Sequence, residues 1–520
     1  MMQAAASSLT RRRLLEAGAA LAAASALPSR ARAQAARFRR WEITDPAMPP
    51  RVLASYKAGI TKMLNLPPTD PRNWYRNAMV HLFDCPHGNW WFLVWHRAYL
   101  GWLEATLRDL SGDGDFALPY WDWTKTPSVP PAMFDGVLDP NNSGFIPTFD
   151  AFKAQFEPVV TAIYAAFSQD QLGVLNQRGI ATAADFMGVL PQVFFDQPSA
   201  RGLTATNPDL DPDTKVAVSL PTIRRSLRTT LFAGGGGPND PAGFASAKAS
   251  NHSDGSTKGI LESQPHDNVH GAMGGGGGAF MVQFFSPVDP IFFLHHGNLD
   301  RLWDVWTRRQ AALGRPTLPQ GSDLDAWSNE EFRFFTNAQS QPVTQTKASA
   351  YALPSVFDYD YSPGSGEDLV PAAGPAVAGS PQVFSGDVAS AQIGMARAAG
   401  GTVRVPASAL QAASDAGPRV AEITLNLTHS DLGRRFRVLV APNPGVAPVA
   451  VGAITIFGHP PHGPTTFTVP LPDNLAVPGA TGELSLDIRV VPIGNSTRPT
   501  LEAGAAPAAP LVSAIKVRTD

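Results

Sequence analysis

Two kinds of hydrophobic pattern divide this chain of 520 residues. In the first part, apolar residues recur at helical spacing, most clearly over residues 91–110, where they predict a helix with one broad apolar face. A second helix is predicted to open with His295 and His296 and to continue through Leu299 to Trp306. Beyond about residue 381 the pattern changes to alternation over short runs, which is typical of half-buried strands.

The alternating runs predict an antiparallel β-sandwich, because turns rich in Pro, Gly and Asn separate them. They cover residues 421–427, 436–440, 453–457, 466–469 and 483–491. Residues 363–380, rich in Pro, Gly and Ala and without periodicity, predict a linker. We therefore predict a mainly α domain over 34–362, a β-sandwich over 381–497 and a tail over 498–520, which could hold a last strand.

The first 33 residues have the features of a twin-arginine export signal. Arg11 and Arg12 precede a short apolar run, and Ala31 and Ala33 form a small-residue cleavage site. The apolar run is too short to span a bilayer, which needs about 20 residues. We predict that the twin-arginine export machinery carries the protein to the periplasm or the medium, without membrane contact after signal removal.

The composition says little about function but argues against some kinds of binding partner. Hydrophobic residues make up 44% of the chain and charged residues 16%, which indicates a globular protein with a large core. A net charge of -3 gives no electrostatic reason to expect nucleic acid or an anionic membrane. The single cysteine, Cys85, excludes an intramolecular disulfide.

Seven of the eleven histidines stand in two clusters among aromatic and aliphatic residues. Neutral imidazole is a metal ligand suited to a dry site, and three imidazoles leave an open position on a metal. We predict two metals in the core of a four-helix bundle, with identities that the histidines alone leave open. The clusters are His81, His87 and His96, and His266, His270, His295 and His296, while His252, His429, His459 and His462 are expected at the surface or in loops.

The flanking residues carry a family resemblance. Residues 87–104, HGNWWFLVWHRAYLGWLE, resemble the copper A signature of the tyrosinase, catechol oxidase and molluscan haemocyanin superfamily. Residues 289–300, DPIFFLHHGNLD, resemble its copper B signature. Residues 119–123, PYWDW, and 359–361, YDY, resemble motifs of plant-type polyphenol oxidases, and the C-terminal part weakly resembles the domain that covers the copper site in their latent form.

The resemblance implies a dinuclear type-3 centre of two copper ions, with dioxygen as co-substrate. In the copper B signature the second histidine of the pair is the ligand, which places His295 beside the centre. Asp300 is expected to orient an imidazole or to pair with Arg97 or Arg301, and the two roles are compatible. The implied ligands are His81, His87 and His96 for one copper and His266, His270 and His296 for the other.

Several further residues gain roles from the same resemblance. Cys85 stands where some relatives link a cysteine to the second copper A histidine, here His87, through a thioether; otherwise it is a small buried residue. Glu262 fits the place of a glutamate that holds a catalytic water, and Asp267 stands where tyrosinases often have asparagine. Gly271 and Phe284 are expected at the substrate entrance, which Gly271 leaves open on its side.

The predicted activity is oxidation of o-diphenols to o-quinones, with hydroxylation of monophenols as a further reaction of small phenolic substrates. Alternatives are an o-aminophenol oxidase and a haemocyanin-like oxygen carrier without enzymatic activity. A dizinc hydrolase is disfavoured because neither histidine cluster contains a bridging carboxylate at a ligand position.

Overall fold

The computed structural model describes most of the chain downstream of the predicted export signal, which lies outside the described residues. Residues 372–380 of the predicted linker also lie outside. Across the part that is described, no helix combines the length and the apolar character needed to cross a membrane. The described residues are 36–190, 200–234, 243–274, 279–371, 382–388, 393, 398–411, 417–427, 431–443, 446–457, 464–475, 482–493 and 511–519.

Helices make up the core of the first part of the chain. In chain order they are α1 Arg51–Asn65, α2 Trp74–Asp84, α3 Phe92–Ser111, α4 Phe149–Ala166, α5 Gln169–Gln177, α6 Ala183–Val189, α7 Pro212–Ala217, α8 Leu220–Leu227, α9 Asp267–Met273, α10 Ile291–Ala312, α11 Ser322–Asn329 and α12 Ala407–Gln411. A π-helical turn, Glu262–His266, leads directly into α9. Short 3-10 turns connect several of the others.

Helix α3 lies at the centre of this core and follows the predicted apolar segment closely. It ends at Gly112, whose φ of 79° is the left-handed conformation that glycine adopts without strain. Position 101 of this helix has room only for glycine, because an added Cβ would lie 2.2 Å from the ring of Phe357. The apolar face packs against α1 and α10, so the helix is buried on nearly every side.

A buried carboxylate ties α3 and α10 to the N-terminal strand. Asp300 of α10 accepts hydrogen bonds from Arg97 Nε at 2.6 Å, Arg40 Nη1 at 3.2 Å and the Tyr361 hydroxyl at 2.6 Å. The hydroxyl of Tyr359 also donates to it. These five side chains join two helices to the two-stranded parallel sheet β1 Phe38–Arg40 and β3 Tyr359–Tyr361.

The C-terminal part forms two five-stranded sheets around a separate apolar core. One sheet has the order β2-β10-β7-β12-β4 and the other β5-β6-β11-β8-β9. The strands are β2 Thr257–Lys258, β4 Gln382–Ser385, β5 Asp387–Val388, β6 Ala399–Pro406, β7 Arg419–Asn426, β8 Arg435–Ala441, β9 Val449–Thr455, β10 Pro464–Pro470, β11 Glu483–Pro492 and β12 Leu511–Thr519.

The predicted fold class, a mainly α core followed by an antiparallel β domain, is confirmed. The five predicted strands correspond to β7 to β11. Strands β4 and β5 were missed because they have only four and two residues, and β6 because it alternates only over residues 402–405. Strand β12 lies between β7 and β4, so part of the predicted tail extends the sheet beyond residue 497.

The β domain docks directly on the helical domain. Strand β2, which belongs to the helical domain in sequence, pairs in parallel with β10 through Thr466–Thr257 and Phe467–Lys258. Helices α7 and α9 pack against β9. Arg435 and Arg437 of β8 also form ion pairs with Asp211 and Asp213 at the start of α7.

We predict that Asp300→Asn destabilises the helical domain by about 3–5 kcal/mol, because it leaves the buried guanidiniums of Arg40 and Arg97 without their shared anion. The measurement is urea unfolding followed by far-ultraviolet circular dichroism. Asp360→Asn is the matched control, since its ion pair with Arg39 is exposed and such pairs contribute about 1 kcal/mol or less. Equal destabilisation by both variants would contradict the prediction.

Candidate metal centre

The fold brings both histidine clusters to one place between α2, α3, α9 and α10. His81 lies in the last turn of α2, and His87 lies in the loop that leads to α3. His96 is on α3, and the π-helical turn ends at His266, one turn before His270. His295 and His296 occupy the second turn of α10, which begins at Ile291 rather than at the histidine pair as predicted.

Hydrogen bonds fix the orientation of four imidazoles. The Nδ1–H of His81 donates to the carbonyl of Phe284 and that of His96 to the carbonyl of Phe92, each at 2.7 Å. His270 Nδ1 donates to the carbonyl of Met281, and His266 Nδ1 donates to Asp267 Oδ1 at 2.8 Å. Because a neutral imidazole carries one proton, Nε2 of each ring presents a lone pair.

These lone pairs converge in a way that a metal ion explains. His81 Nε2 and His96 Nε2 are 3.4 Å apart, although neither carries a proton that could bridge them. His270 Nε2 and His296 Nε2 are 3.3 Å apart. Two nitrogens bound to one tetrahedral metal at about 2.0–2.1 Å are separated by about 3.3 Å, so both pairs fit a shared metal.

The remaining ring nitrogens agree with this arrangement. Both nitrogens of His87 and Nε2 of His266 have no hydrogen-bond partner in the described part of the protein. The rings of His96 and His296 stack at 4.2 Å, which brings the two clusters together. Six imidazoles could therefore hold two metals: those of His81, His87, His96, His266, His270 and His296.

His295 differs from its neighbour because Trp123 occupies one of its nitrogens. The indole Nε1–H donates to His295 Nδ1 at 3.1 Å, which places the imidazole proton on Nε2. Its ring nitrogens still lie within 4.8 Å of those of His266, His270 and His296. A ring protonated on the side away from Trp123 is a poor ligand, which favours His296 in the pair.

Burial keeps these imidazoles uncharged. It lowers the pKa of His96 and of His295 from 6.5 to about 3, and it lowers the pKa of His87, His266, His270 and His296 well below 6.5. Neighbouring histidines lower most of these values further. Neutral imidazole is the form that binds metal, so the environment favours metal binding at ordinary pH.

Glu262 and Asp267 lie beside His266 and are joined through a buried lysine. Lys258 Nζ lies 2.7 Å from Asp267 Oδ2 and 3.9 Å from Glu262 Oε1. Glu262 also accepts hydrogen bonds from the Gly88 N–H at 2.7 Å and from the hydroxyl of Ser246. Burial raises the pKa of Glu262 and raises that of Asp267 to about 7, although Lys258 lowers both.

Asp300 and Arg97 form the ion pair that was one of the two expectations for Asp300. Among the described residues, the hydrogen-bond partners of Asp300 are two arginines and two tyrosines, and no imidazole is one of them. The alternative in which Asp300 orients an imidazole is therefore not supported, and Arg301 instead donates to Asn298. Both guanidiniums lower the pKa of Asp300 against the effect of burial.

Cys85 follows α2 and is buried close to the first cluster. Its sulfur and the ring nitrogens of His81 and His87 lie within 4.8 Å of one another. Burial raises the pKa of the thiol, although the nearby Arg178 lowers it. The thioether to His87 stays a prediction.

At Gly271 the structure does not show the open substrate entrance that the sequence analysis predicted. A Cβ added to Gly271 would lie 2.6 Å from Thr455 Cγ2, so this side is covered by β9 rather than open. Phe284 lies beside the first histidine cluster, with its ring centroid 5.0 Å from that of His87, and its place at the substrate entrance stays a prediction. Phe457 of the β domain covers the centre, with its ring 4.0 Å from that of His270.

Four residues near the centre had no role in the sequence analysis: Trp123, Lys258, Phe457 and His252. Trp123 and Phe457 lie near the histidines only through long-range contacts, whereas Lys258 precedes Glu262 by four residues and pairs with Asp267 nine residues later. His252, expected at the surface or in a loop, is 3% exposed and bridges Asp84 and Glu330, which raise its pKa against the effect of burial. The weak resemblance of the C-terminal part was the one signal that pointed towards Phe457.

Comparison with known proteins agrees with this geometry. The model of the common central domain of tyrosinase matches residues 58–309, which contain all seven clustered histidines. Residues 58–309 therefore form a tyrosinase-family domain. The chain is 26% identical over 314 residues to (+)-larreatricin hydroxylase of Larrea tridentata, covering 56% of this chain and 44% of that protein.

Other relatives include a tyrosinase of a Hahella species, 29% identical over 289 residues, covering 54% of this chain and 47% of the relative. The chain thus spans less than half the length of these curated relatives. Among solved structures, latent apple tyrosinase superposes with a TM-score of 0.55 at 18% identity, covering 95% of this chain and 99% of that one. This last similarity is one of fold.

We predict that the metal-free protein loses stability as the pH falls below 6.5. Above pH 6.5, the pKa of an unfolded histidine, such an imidazole is neutral in both the folded and the unfolded state and stability is at its full value. Below pH 6.5 the unfolded state takes up the proton first, so stability is lost until the pH reaches the folded-state pKa of about 3. Each such imidazole contributes up to about 1.4 kcal/mol per pH unit. The measurement is urea unfolding between pH 7.5 and 5.5, and His295→Gln should flatten the dependence.

His252→Gln is the control for this pH dependence, because the folded-state pKa of His252 is raised rather than lowered. Its removal should leave the loss of stability at acid pH in place. An identical pH dependence in the unaltered protein and in His295→Gln would contradict the prediction.

Proposed function

We propose that this protein oxidises o-diphenols to o-quinones with dioxygen at a dinuclear copper centre. The observation that carries the proposal is the convergence of imidazole lone pairs in two groups of three, with His81 and His96 facing each other at 3.4 Å. Nitrogen-only donors suit redox-active copper, whereas paired hydrolytic zinc sites usually recruit carboxylates. The tyrosinase-family domain supports the same chemistry.

His81, His87 and His96 would hold one copper, and His266, His270 and His296 would hold the other. Bound copper ions would supply the electron transfer between a catechol and dioxygen. The protein keeps the ligands in place through the carbonyls of Phe284, Phe92 and Met281, which hold the Nδ1 protons. Outer partners of this kind fix the ring orientation of metal-binding histidines.

Aromatic side chains make the centre dry and shape the approach to it. The ring of Phe292 lies 4.1 Å from that of His296, and the ring of Phe92 lies 4.7 Å from that of His266. Phe284, on the side of His87, is the ring against which a catechol would pack. Exclusion of water strengthens electrostatic interactions within such a site.

Diphenol oxidation is favoured over monophenol hydroxylation. Holding a water for phenol deprotonation requires free acceptor capacity on Glu262 and on the residue beside His266. Glu262 accepts from Gly88 and Ser246, while Asp267 accepts from His266 and Lys258. Because protein donors already contact both oxygens of each carboxylate, fewer acceptor sites are left for a water, and we rank monophenol hydroxylation second.

We also propose that the β domain shields the centre. Phe457 lies above the imidazoles, with ring centroids 4.0 Å from His270, 5.2 Å from His87 and 5.3 Å from His266. Thr455 closes the side of Gly271. A catechol could not occupy the position of the Phe457 ring, so the shielded form is expected to turn over slowly.

Export by the twin-arginine route stays a prediction that rests on residues 1–33 alone. This route transports folded proteins, which would suit a protein whose ligands come from four separate helices and loops. The periplasmic or secreted location depends on the same segment.

We predict that the copper-loaded protein converts 4-methylcatechol to its quinone, and that Phe457→Ala does so about tenfold faster. A tenfold gain corresponds to ~1.4 kcal/mol, the free-energy cost that we attribute to the shielding ring. The measurement is quinone absorbance together with oxygen uptake. Phe384→Ala is the control, because Phe384 packs on the core of the same domain without lining the cavity at the centre.

Absence of quinone from every catechol and aminophenol, both before and after proteolysis within residues 363–380, would overturn the enzymatic proposal. Reversible oxygen binding under those conditions would instead support an oxygen carrier. A preference for o-aminophenols over catechols would assign the protein to the aminophenol oxidases.

We predict that His296→Gln lowers the copper content of the protein from two ions towards one, whereas His295→Gln retains both. The two positions are adjacent on α10 and equally buried, so they form a matched pair. The expected difference arises because Trp123 holds the His295 ring in the tautomer that binds metal poorly. The measurement is metal analysis after dialysis, and the opposite ranking would reverse the assignment.

A further inference from the structure

A cavity of about 410 Å³ adjoins the proposed copper centre on the side of His87. Phe284, His87 and Phe457 form its inner end, so a ring in the cavity would lie beside the first histidine cluster. Its outer wall comes from the end of α5, the loop 251–256 and strand β10. The cavity therefore extends beyond the space that a simple catechol ring would occupy.

Arg178, on the wall of this cavity, is a buried cation without an anion. It is 8% exposed, and among the described residues no carboxylate oxygen lies within 4.0 Å of its nitrogens. One terminal nitrogen donates to the carbonyl of Cys85, while Nε has no hydrogen-bond partner. Burying an unpaired guanidinium is unfavourable, so the site favours an anionic ligand.

The other charged groups of the cavity are either paired with neighbouring groups or exposed to solvent, so Arg178 is the charged group available to bind a ligand. Lys258 pairs with Asp267 at 2.7 Å. His252 lies between the carboxylates of Asp84 and Glu330. Asp254 is exposed and accepts a hydrogen bond from Ser250, so it lies towards solvent rather than at the buried end.

Arg178 is also linked in space to the proposed ligands. It binds the carbonyl of Cys85, and the sulfur of Cys85 lies within 4.8 Å of the ring nitrogens of His81 and His87. The wall that carries Arg178 also carries His87 and the rings of Phe284 and Phe457. An aromatic ring with an acidic side chain matches this combination of aromatic and cationic contacts.

We propose that Arg178 binds the carboxylate of phenolic acids, so that catechols carrying a carboxylated side chain are the preferred substrate class. The inference rests on the proposed function. The planar guanidinium can donate two parallel hydrogen bonds to a carboxylate, which fixes the substrate direction as well as its affinity. The ring would then lie in the cavity beside Phe284 and His87, and the side chain would extend along the cavity to Arg178.

The first test measures binding to the metal-free full-length chain by isothermal titration calorimetry. The probes are 3-phenylpropanoate, which cannot be oxidised to a quinone, and its uncharged amide. We expect the acid to bind the unaltered protein about tenfold more tightly than it binds Arg178→Gln, with similar amide affinity in both. Arg178→Lys should fall between them, because it keeps the charge but loses the planar fork.

Gln177→Ala is the control, since Gln177 precedes Arg178 on the same wall and carries no charge. It should bind the acid as the unaltered protein does. Equal affinity for the acid and the amide in the unaltered protein would overturn the proposal, and this comparison requires no variant to fold. Acid affinity that persists in Arg178→Gln would also overturn it.

The second test uses the copper-loaded full-length chain with 3,4-dihydroxyphenylpropanoate and 4-methylcatechol. The ratio of their kcat/KM values should fall about tenfold in Arg178→Gln and stay constant in Gln177→Ala. If 4-methylcatechol is oxidised and the ratio does not change, the carboxylate site is wrong and the proposed function stands. If no catechol is oxidised while acid binding still depends on Arg178, the proposed function fails and the site stands.

Discussion

The rest of this structure depends on keeping six imidazoles neutral, shielded from water and oriented towards one another. A water-filled pocket would let them protonate, and a charged imidazole cannot bind a metal. Burial answers this requirement, since it lowers the pKa of His96 to about 3. It also favours an acceptor within the protein for the imidazole protons, and the backbone carbonyls of Phe92 and Phe284 accept those of His96 and His81.

The helices can meet these demands only if their relative positions are fixed, and a second buried cluster fixes them. Asp300 joins α3, α10 and the small β1–β3 sheet through Arg97, Arg40 and two tyrosines. It lies one helical turn after His296, on the helix that carries part of the centre. The charged cluster and the neutral centre therefore share two helices, and the hydrogen-bond partners of Asp300 among the described residues are arginines and tyrosines rather than imidazoles.

The β domain constrains the centre from outside, because it docks over one side of the imidazoles. Glycine at position 271 lets β9 approach α9 closely, and Phe457 then lies against the imidazole of His270. The same docking encloses the cavity that holds Arg178, whose guanidinium has no anion among the described residues. Shielding of the centre and recognition of an acidic substrate would thus depend on one interface.

The sequence by itself determined the helical and β parts, both histidine clusters and the family, because periodicity and motif spacing are local properties. Only the tertiary structure decided which nitrogens face the centre and what surrounds them. Trp123 meets His295 across 172 positions of the chain, and Arg40 meets Asp300 across 260. No local pattern encodes such contacts, so the ion pair of Asp300 with Arg40 and the closure over Gly271 emerged only when distant segments packed together.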